Sequence, residues 1–322
     1  MRILITGGAG FIGSHLAEAL LEAGEEVYII DDLSTGSIDN INLLKSRFSE
    51  TSRLFFYEQS ILDYETMLDL IGTCNMVYHL AAAVGVQYIL DNPLKSIKIN
   101  IQGTEKVLEL CARFKKKVLI ASSSEVYGKH LHAPLVETDN LIYGPSSKFR
   151  WSYAASKLID EFFAIAYHRM NELEIVITRL FNTVGPRQTG AYGMVIPRLV
   201  QQALKNEPLT VYGDGSQTRT FTHVKDVVRA LMTLMNTPSA NGETFNIGGT
   251  QEISIKDLAQ KIIDITGSSS TIELIPYEKA FAKDFEDMQR RVPGIEKIAQ
   301  YTGFHPHYSL DDILKEVAEY SK

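Results

Sequence analysis

The sequence predicts a doubly wound α/β fold, and three observations carry that reading. The chain opens with an apolar strand (Ile3, Leu4, Ile5), a glycine-rich turn, a helical stretch and a second strand that ends on Asp31. Strand-like runs and helical periods then alternate up to residue 180. That order builds right-handed βαβ units and a parallel sheet with helices on both faces. Beyond residue 181 the texture changes to Gly/Pro/Asn punctuation with short strands and shorter helices. This half is read as a smaller α/β lobe over the carboxyl edge of the sheet, where such folds bind ligands.

Taken in order, the expected strands are 2–6, 26–30, 54–57, 76–80, 117–121 and 175–180. Helical patterns fall near 11–23, 64–71, 95–114 and 152–170, and in the second half near 195–206, 224–236, 255–266 and 309–320. The division is 1–180 for the sheet domain and 181–322 for the substrate-binding lobe, with some later segments returning to the sheet. Region 129–151 has weak periodicity and reads as a long loop beside the site.

Gly7, Gly8, Gly10 and Gly13 satisfy the GxGxxG spacing of the Rossmann dinucleotide fold. The early glycines turn without a Cβ, the middle one lets a pyrophosphate approach the backbone, and the last lets helix and strand pack closely. The helix N-terminus adds free N–H groups and partial positive charge. Asp31 stands 18 positions after Gly13. A carboxylate there accepts hydrogen bonds from an adenosine ribose and repels a 2′-phosphate. The residues that follow, Asp32-Leu33-Ser34-Thr35-Gly36, contain no Arg or Lys to welcome one. NAD is the expected cofactor.

Composition narrows the partners. Lys plus Arg number 32 against 39 Asp plus Glu, a net charge of −7 without a basic stripe, which argues against nucleic acid. No apolar run approaches the ~20 residues of a membrane span. The chain starts on a core strand, read as leaving no room for a secretory signal. Cys74 and Cys111 make no disulfide framework, and a cytoplasmic location is expected. No metal site is expected.

Tyr153 and Lys157 stand four apart on the helix 152–170, so both project from one face. An ammonium one turn away, with the charge of an oxidised nicotinamide, favours the phenolate of a group that ordinarily titrates near ~10. Ser122, Ser123 and Ser124 end a strand at the ligand-binding edge, where a hydroxyl can share a proton with a substrate alcohol. The same helix is apolar over most of its circumference (Ala154, Ala155, Leu158, Ile159, Phe162, Phe163, Ile165, Ala166). One apolar side fits the sheet and the other a second subunit. Paired with helix 95–114, it is expected to form an intermolecular four-helix bundle, hence a homodimer.

With these motifs the chain resembles the extended short-chain dehydrogenase/reductases that act on nucleotide-sugars, a group of 4-epimerases, 4,6-dehydratases and uronate decarboxylases. The resemblance runs through Gly7-Gly8-Ala9-Gly10-Phe11-Ile12-Gly13, His79-Leu80-Ala81-Ala82, Ser123-Ser124-Glu125-Val126-Tyr127-Gly128 and Tyr153-Ala154-Ala155-Ser156-Lys157. It continues through Arg179-Leu180-Phe181-Asn182, Gly185-Pro186-Arg187, Gly213-Asp214-Gly215 with Arg219, and Thr222-His223-Val224 with Asp226. It implies that Tyr153 takes the C4-hydroxyl proton, that Ser123 bridges the hydroxyl, and that Lys157 holds the nicotinamide ribose. The implied cofactor set is Gly7, Gly10, Phe11, Ile12, Gly13, Asp31, Asp32, Ile61, Leu80, Ala81, Ala82, Asn100, Tyr153 and Lys157. Asn182, Arg219 and Arg291 match positions that hold the nucleotide diphosphate, with Arg290 adjacent to the last; Ser124, Arg187 and Val195 complete the implied UDP-sugar contacts. The chain departs from its relatives at Ser60-Ile61, where many carry an acid for adenine, and at Pro293-Gly294 in place of a common Pro-Asp.

The residues after Ser123 bear on the reaction. Dehydratases of this group typically carry Asp-Glu there, and Ser124-Glu125 fills the base position without the acid. The Ser-Glu pattern is closer to decarboxylases, and Glu125 has either a catalytic role or a structural one against the loop 129–151. Arg187 matches an arginine that pairs with a C6 carboxylate in uronate-specific relatives, as a buried carboxylate requires. Arg150-Trp151 adds a further contact or packs. On these features UDP-sugar 4-epimerisation ranks first, with UDP-glucuronate as the leading substrate and UDP-glucose or UDP-N-acetylglucosamine types behind it. Decarboxylation of UDP-glucuronate and 4,6-dehydration are the alternatives, and a non-catalytic NAD-sensing protein is the reading from another class.

Overall fold

In the computed structural model, which describes residues 1–130, 132–190, 194–277 and 288–322, the apolar runs lie side by side. β1 (Arg2–Thr6) is flanked by β2 (Glu26–Asp31) and β4 (Met76–His79) in parallel register. β3 (Leu54–Glu58) lies outside β2; β5 (Lys117–Ser123) and β6 (Ile175–Leu180) extend the other side. Ile3, Leu4 and Ile5 are at most 1% exposed, because a parallel strand between helix layers is covered on both faces.

Helices α1 (Phe11–Glu22) and α2 (Ile38–Arg47) pack on one face of the sheet. α3 (Tyr64–Thr73), α5 (Pro93–Phe114) and α6 (Arg150–Asn171) pack on the other, and a short α4 (Val86–Asp91) precedes α5. α2 was not expected from its sequence, since only Asn40, Ile41 and Leu44 are buried there. The Ser37 side chain caps it by accepting from Asp39 N at 3.2 Å. The region expected as a loop gives way to α6 at Arg150.

The chain division at 180 is not a division in space for every segment. β7 (Thr183–Val184), α7 (Val195–Leu204), β8 (Leu209–Tyr212), β9 (Thr218–Thr220) and β10 (Thr222–His223) follow β6, but α8 (Val224–Met235) then packs beside α1. β11 (Glu243–Ile247) pairs in parallel with β6 as the seventh strand. The remainder forms a second core: β12 (Glu252–Ser254), α9 (Ile255–Thr266) and β13 (Ile272–Ile275). β14 (Arg290–Arg291) and α10 (Glu296–Thr302) lead to α11 (Leu310–Tyr320). Two short pairings position the site: Thr222 runs beside Thr183, and Arg291 lies directly opposite Arg219. No helix among the described residues is long and apolar enough to cross a membrane.

Candidate active site

A cavity of about 1010 Å³ opens over the carboxyl ends of the strands and is lined by both cores. At one end lies the glycine turn. Gly7 has φ +74°, and a Cβ there would meet Ala81 N at 2.7 Å; a Cβ on Gly13 would meet the Gly7 carbonyl oxygen at 2.2 Å. Gly10 caps α1 with no side-chain hydrogen bond, so the first-turn N–H groups are available to an anion. Asp31 accepts from Ala9 N at 3.0 Å and Leu33 N at 2.9 Å, which fixes the carboxylate at the end of β2. Burial raises its pKa, and these N–H groups pull the other way. Asp32 accepts from Ser34 N. Phe11, Ile12, Ile61, Leu80, Ala81 and Ala82 line the same space. A long cleft with a glycine-walled phosphate end and a fixed carboxylate fits a dinucleotide.

Midway along the cavity stand Ser123 and Tyr153. Ser123 closes β5, and its hydroxyl accepts from Glu125 N at 3.2 Å. Tyr153 hydrogen-bonds with Ser123; burial first, then the charge of Glu125, push the phenol above its ordinary range. Both act against the phenolate expected from the spacing to Lys157. The ammonium that was to favour it is turned elsewhere: Lys157 Nζ donates to Asp160 at 2.8 Å, with the pair 2% and 0% exposed. Asn100 binds the Ala83 backbone, accepting from its N at 2.8 Å, and donates to Ser156 Oγ at 3.1 Å. It ties the β4 loop to α6 next to Lys157.

Three arginines and a glutamate occupy the far end. Glu125 receives Arg291 Nη1 at 2.5 Å and Arg150 Nη2 at 3.3 Å. Burial raises its pKa, but the charges of Arg150, Arg291 and Arg219 outweigh that and hold it at about 2. Glu125 is thus an anion throughout the neutral range. Arg291 also donates to Asn182 Oδ1 at 3.1 Å and lies 3.5 Å from Ser124 Oγ. Arg219 donates to Thr218 O at 2.8 Å from the adjoining strand. Arg290 points away, to Glu252 at 2.7 and 2.8 Å on the surface.

Arg187 also lines the cavity. It sits in a left-handed backbone conformation (φ +67°), and its Nη2 is bound to Glu18 of α1, leaving Nη1 buried without a partner. The arginine beside Ser124 and Glu125 is Arg291 instead. Val195 opens α7 at the cavity wall. Two contributors carried little sequence signal. Arg150 lies three residues before Tyr153, and Asp160 three after Lys157; each matters only once burial and a partner are seen.

A Rossmann sheet with a serine, tyrosine and lysine at its carboxyl edge and an arginine-lined second core defines an extended short-chain dehydrogenase/reductase. The chain belongs to the family described as GDP-mannose 4,6 dehydratase, whose model matches residues 4–317. It is similar to a UDP-N-acetyl-alpha-D-glucosaminuronate decarboxylase of Bacillus cytotoxicus, 42% identical over 322 residues, with 99% of this chain and 97% of the relative covered. It is also similar to UDP-glucuronic acid decarboxylase 1 of Arabidopsis thaliana, 35% identical over 316 residues, 98% of this chain and 68% of the relative. Among solved structures, the UDP-glucuronic acid 4-epimerase of Bacillus cereus in complex with UDP-glucuronic acid and NAD gives a TM-score of 0.89 at 32% identity, covering 100% of this chain and 99% of that one.

Proposed function

We propose that this protein is an NAD-dependent decarboxylase of UDP-uronates, acting on UDP-glucuronate or its 2-acetamido counterpart. The observation that carries the reading is the anionic Glu125 held between Arg150 and Arg291 beside Ser124 and Tyr153. Arg150 and Arg291 converge on this one carboxylate. Such a fork offers charged donors to a second carboxylate, which a uronate carries and a neutral hexose lacks.

The dinucleotide cleft would hold NAD through the glycine turn and Asp31; when bound, NAD supplies reversible two-electron oxidation at C4 of the sugar. The positive charge of bound oxidised nicotinamide would favour the Tyr153 phenolate, which would then take the proton of the C4 hydroxyl, with Ser123 orienting it. The resulting 4-ketone is β to the C6 carboxylate. Breaking the C5–C6 bond therefore releases CO2 and leaves its electron pair delocalised onto the C4 oxygen, within hydrogen-bonding reach of Tyr153 and Ser123. A proton returned to C5 completes the exchange of carboxylate for hydrogen, and the two electrons taken from C4 would return there with the proton held by Tyr153, restoring the hydroxyl of the pentose. The two arginines are already bound to Glu125, so the uronate meets a rigid, half-neutralised fork. Loss of its charge as CO2 then costs little.

The two decarboxylase relatives support this order, and it reverses the ranking drawn from sequence, which put 4-epimerisation first. Epimerisation stays as the second reading because the Bacillus cereus epimerase has a TM-score of 0.89 and Arg187 lies in the same cavity. Dehydration is disfavoured by Ser124, which leaves no acid for the C6 hydroxyl. The test is incubation with UDP-glucuronate and UDP-N-acetylglucosaminuronate. The expected result is a UDP-pentose with stoichiometric CO2; a galacto-configured uronate would establish the epimerase instead.

Two further outcomes follow. Asp31→Ala is expected to narrow the preference for NAD over NADP by about tenfold, since one charge-assisted ribose contact contributes roughly 1.5 kcal/mol; tighter NADP binding by the unmodified protein would reverse the argument. We also propose a homodimer. α5 and α6 pack together, and Ile159 and Phe162 of α6 are 38% and 63% exposed, so light scattering should give twice the chain mass of 36.0 kDa. A monomer at micromolar concentration would rule it out.

A further inference from the structure

We infer that Asp160 is a positioning residue that sets the charge of the reacting end: it is the buried counter-ion of Lys157 and holds that site at net zero. The inference rests on the NAD reading above. Lys157 Nζ lies 2.8 Å from Asp160 Oδ2, and neither side chain reaches solvent. The mechanism drawn from Ser123, Tyr153 and Lys157 makes no use of this carboxylate.

Beside Asp160 lies a buried row of polar groups, Thr6, His79 and Thr104. Ala81 N donates to Thr6 Oγ1 at 3.2 Å, and Thr6 Oγ1 hydrogen-bonds with His79 Nδ1 at 2.8 Å. His79 Nε2 lies 3.0 Å from Thr104 Oγ1, the Thr104 hydroxyl lowers the Asp160 pKa, and Asp160 Oδ1 is buried without a hydrogen-bond partner. Burial, and secondarily the charge of Lys157, keep His79 neutral with a pKa of about 3. Burial raises the Asp160 pKa on balance; the Lys157 charge, then the hydrogen bonds of Lys157 and Thr104, act against it and favour the anion.

Neighbouring carboxylates have arginine partners of their own. Glu161 pairs with Arg179 at 2.7 Å, and Glu125 with Arg150 and Arg291. Removing the Asp160 charge therefore leaves +1 beside Tyr153, where the family resemblance puts the nicotinamide. Oxidised nicotinamide carries a positive charge and the reduced ring does not, so an uncompensated Lys157 disfavours NAD relative to NADH.

The test is a cofactor titration followed by fluorescence, which needs no turnover. The single tryptophan, Trp151, lies two residues before Tyr153. In Asp160→Asn, which keeps the size of the side chain, the ratio of the NAD to the NADH dissociation constant is expected to rise about tenfold, the order for one unit charge at close range in a protein interior. The double variant Asp160→Asn/Lys157→Met removes both charges and should return the ratio to that of the unmodified protein. A purely structural role for Asp160 would weaken both cofactors together and leave the ratio unchanged, which would overturn the inference. So would a raised ratio that persists in the double variant. Failure of the unmodified protein to bind either dinucleotide would overturn the NAD reading, and the inference with it.

Discussion

Tyr153→Phe is expected to lower kcat by about 10³-fold or more while UDP-sugar binding changes little, because the substitution removes only the group that accepts the C4 proton. The phenol is half-buried at the cavity wall and hydrogen-bonded to Ser123, and no other described base stands with it at the end of β5. Glu125 is the nearest rival, and its proton affinity is too low to compete, at a pKa of about 2. Single-turnover measurement with saturating NAD checks this. Residual turnover within tenfold of the unmodified protein would mean that another group takes the proton.

The second large effect belongs to Glu125. Glu125→Gln takes from Arg150 and Arg291 the carboxylate they share, so a uronate carboxylate can take its place on the fork. Uronate binding is expected to tighten while kcat falls by about 10²-fold, since the carboxylate must leave a stronger ionic contact before CO2 departs. Binding of a neutral UDP-hexose should not tighten in the same way. Parallel loss of binding and turnover for both sugars would instead assign Glu125 to holding the loop. The stability effect has a defined sign. The folded-state pKa is depressed from 4.5 to about 2, so the contribution of the cluster is complete above the ordinary carboxylate range and is lost as pH falls toward that lower value. The destabilisation of Glu125→Gln seen near neutrality should vanish in strong acid.

The parts legible in the sequence were those set by local chemistry. The glycine turn could be read because a Cβ at Gly7 or Gly13 collides with backbone, and Tyr153 and Lys157 because a spacing of four puts them on one face of a helix. Non-local pairing was not legible. Nothing in Glu243-Thr244-Phe245-Asn246-Ile247 says that it pairs with β6 across more than sixty residues. The arginines were present in the sequence but their directions were not. Arg187 turns to Glu18 and Arg291 to Glu125, choices made by which carboxylates the fold brings within reach. Asp160 was invisible for a related reason. In a helix sequence it reads as a solvated charge, and only its burial beside Lys157 gives it a role.

The most direct test of the decarboxylase reading is the reaction of UDP-glucuronate in deuterium oxide, followed by proton NMR with trapping of CO2. Decarboxylation replaces the C6 carboxylate with a solvent-derived hydrogen at C5. The expected product is therefore a UDP-pentose carrying one deuteron at C5, with one CO2 for each sugar consumed. A galacto-configured uronate that retains its original C5 proton, with no CO2 released, would contradict it.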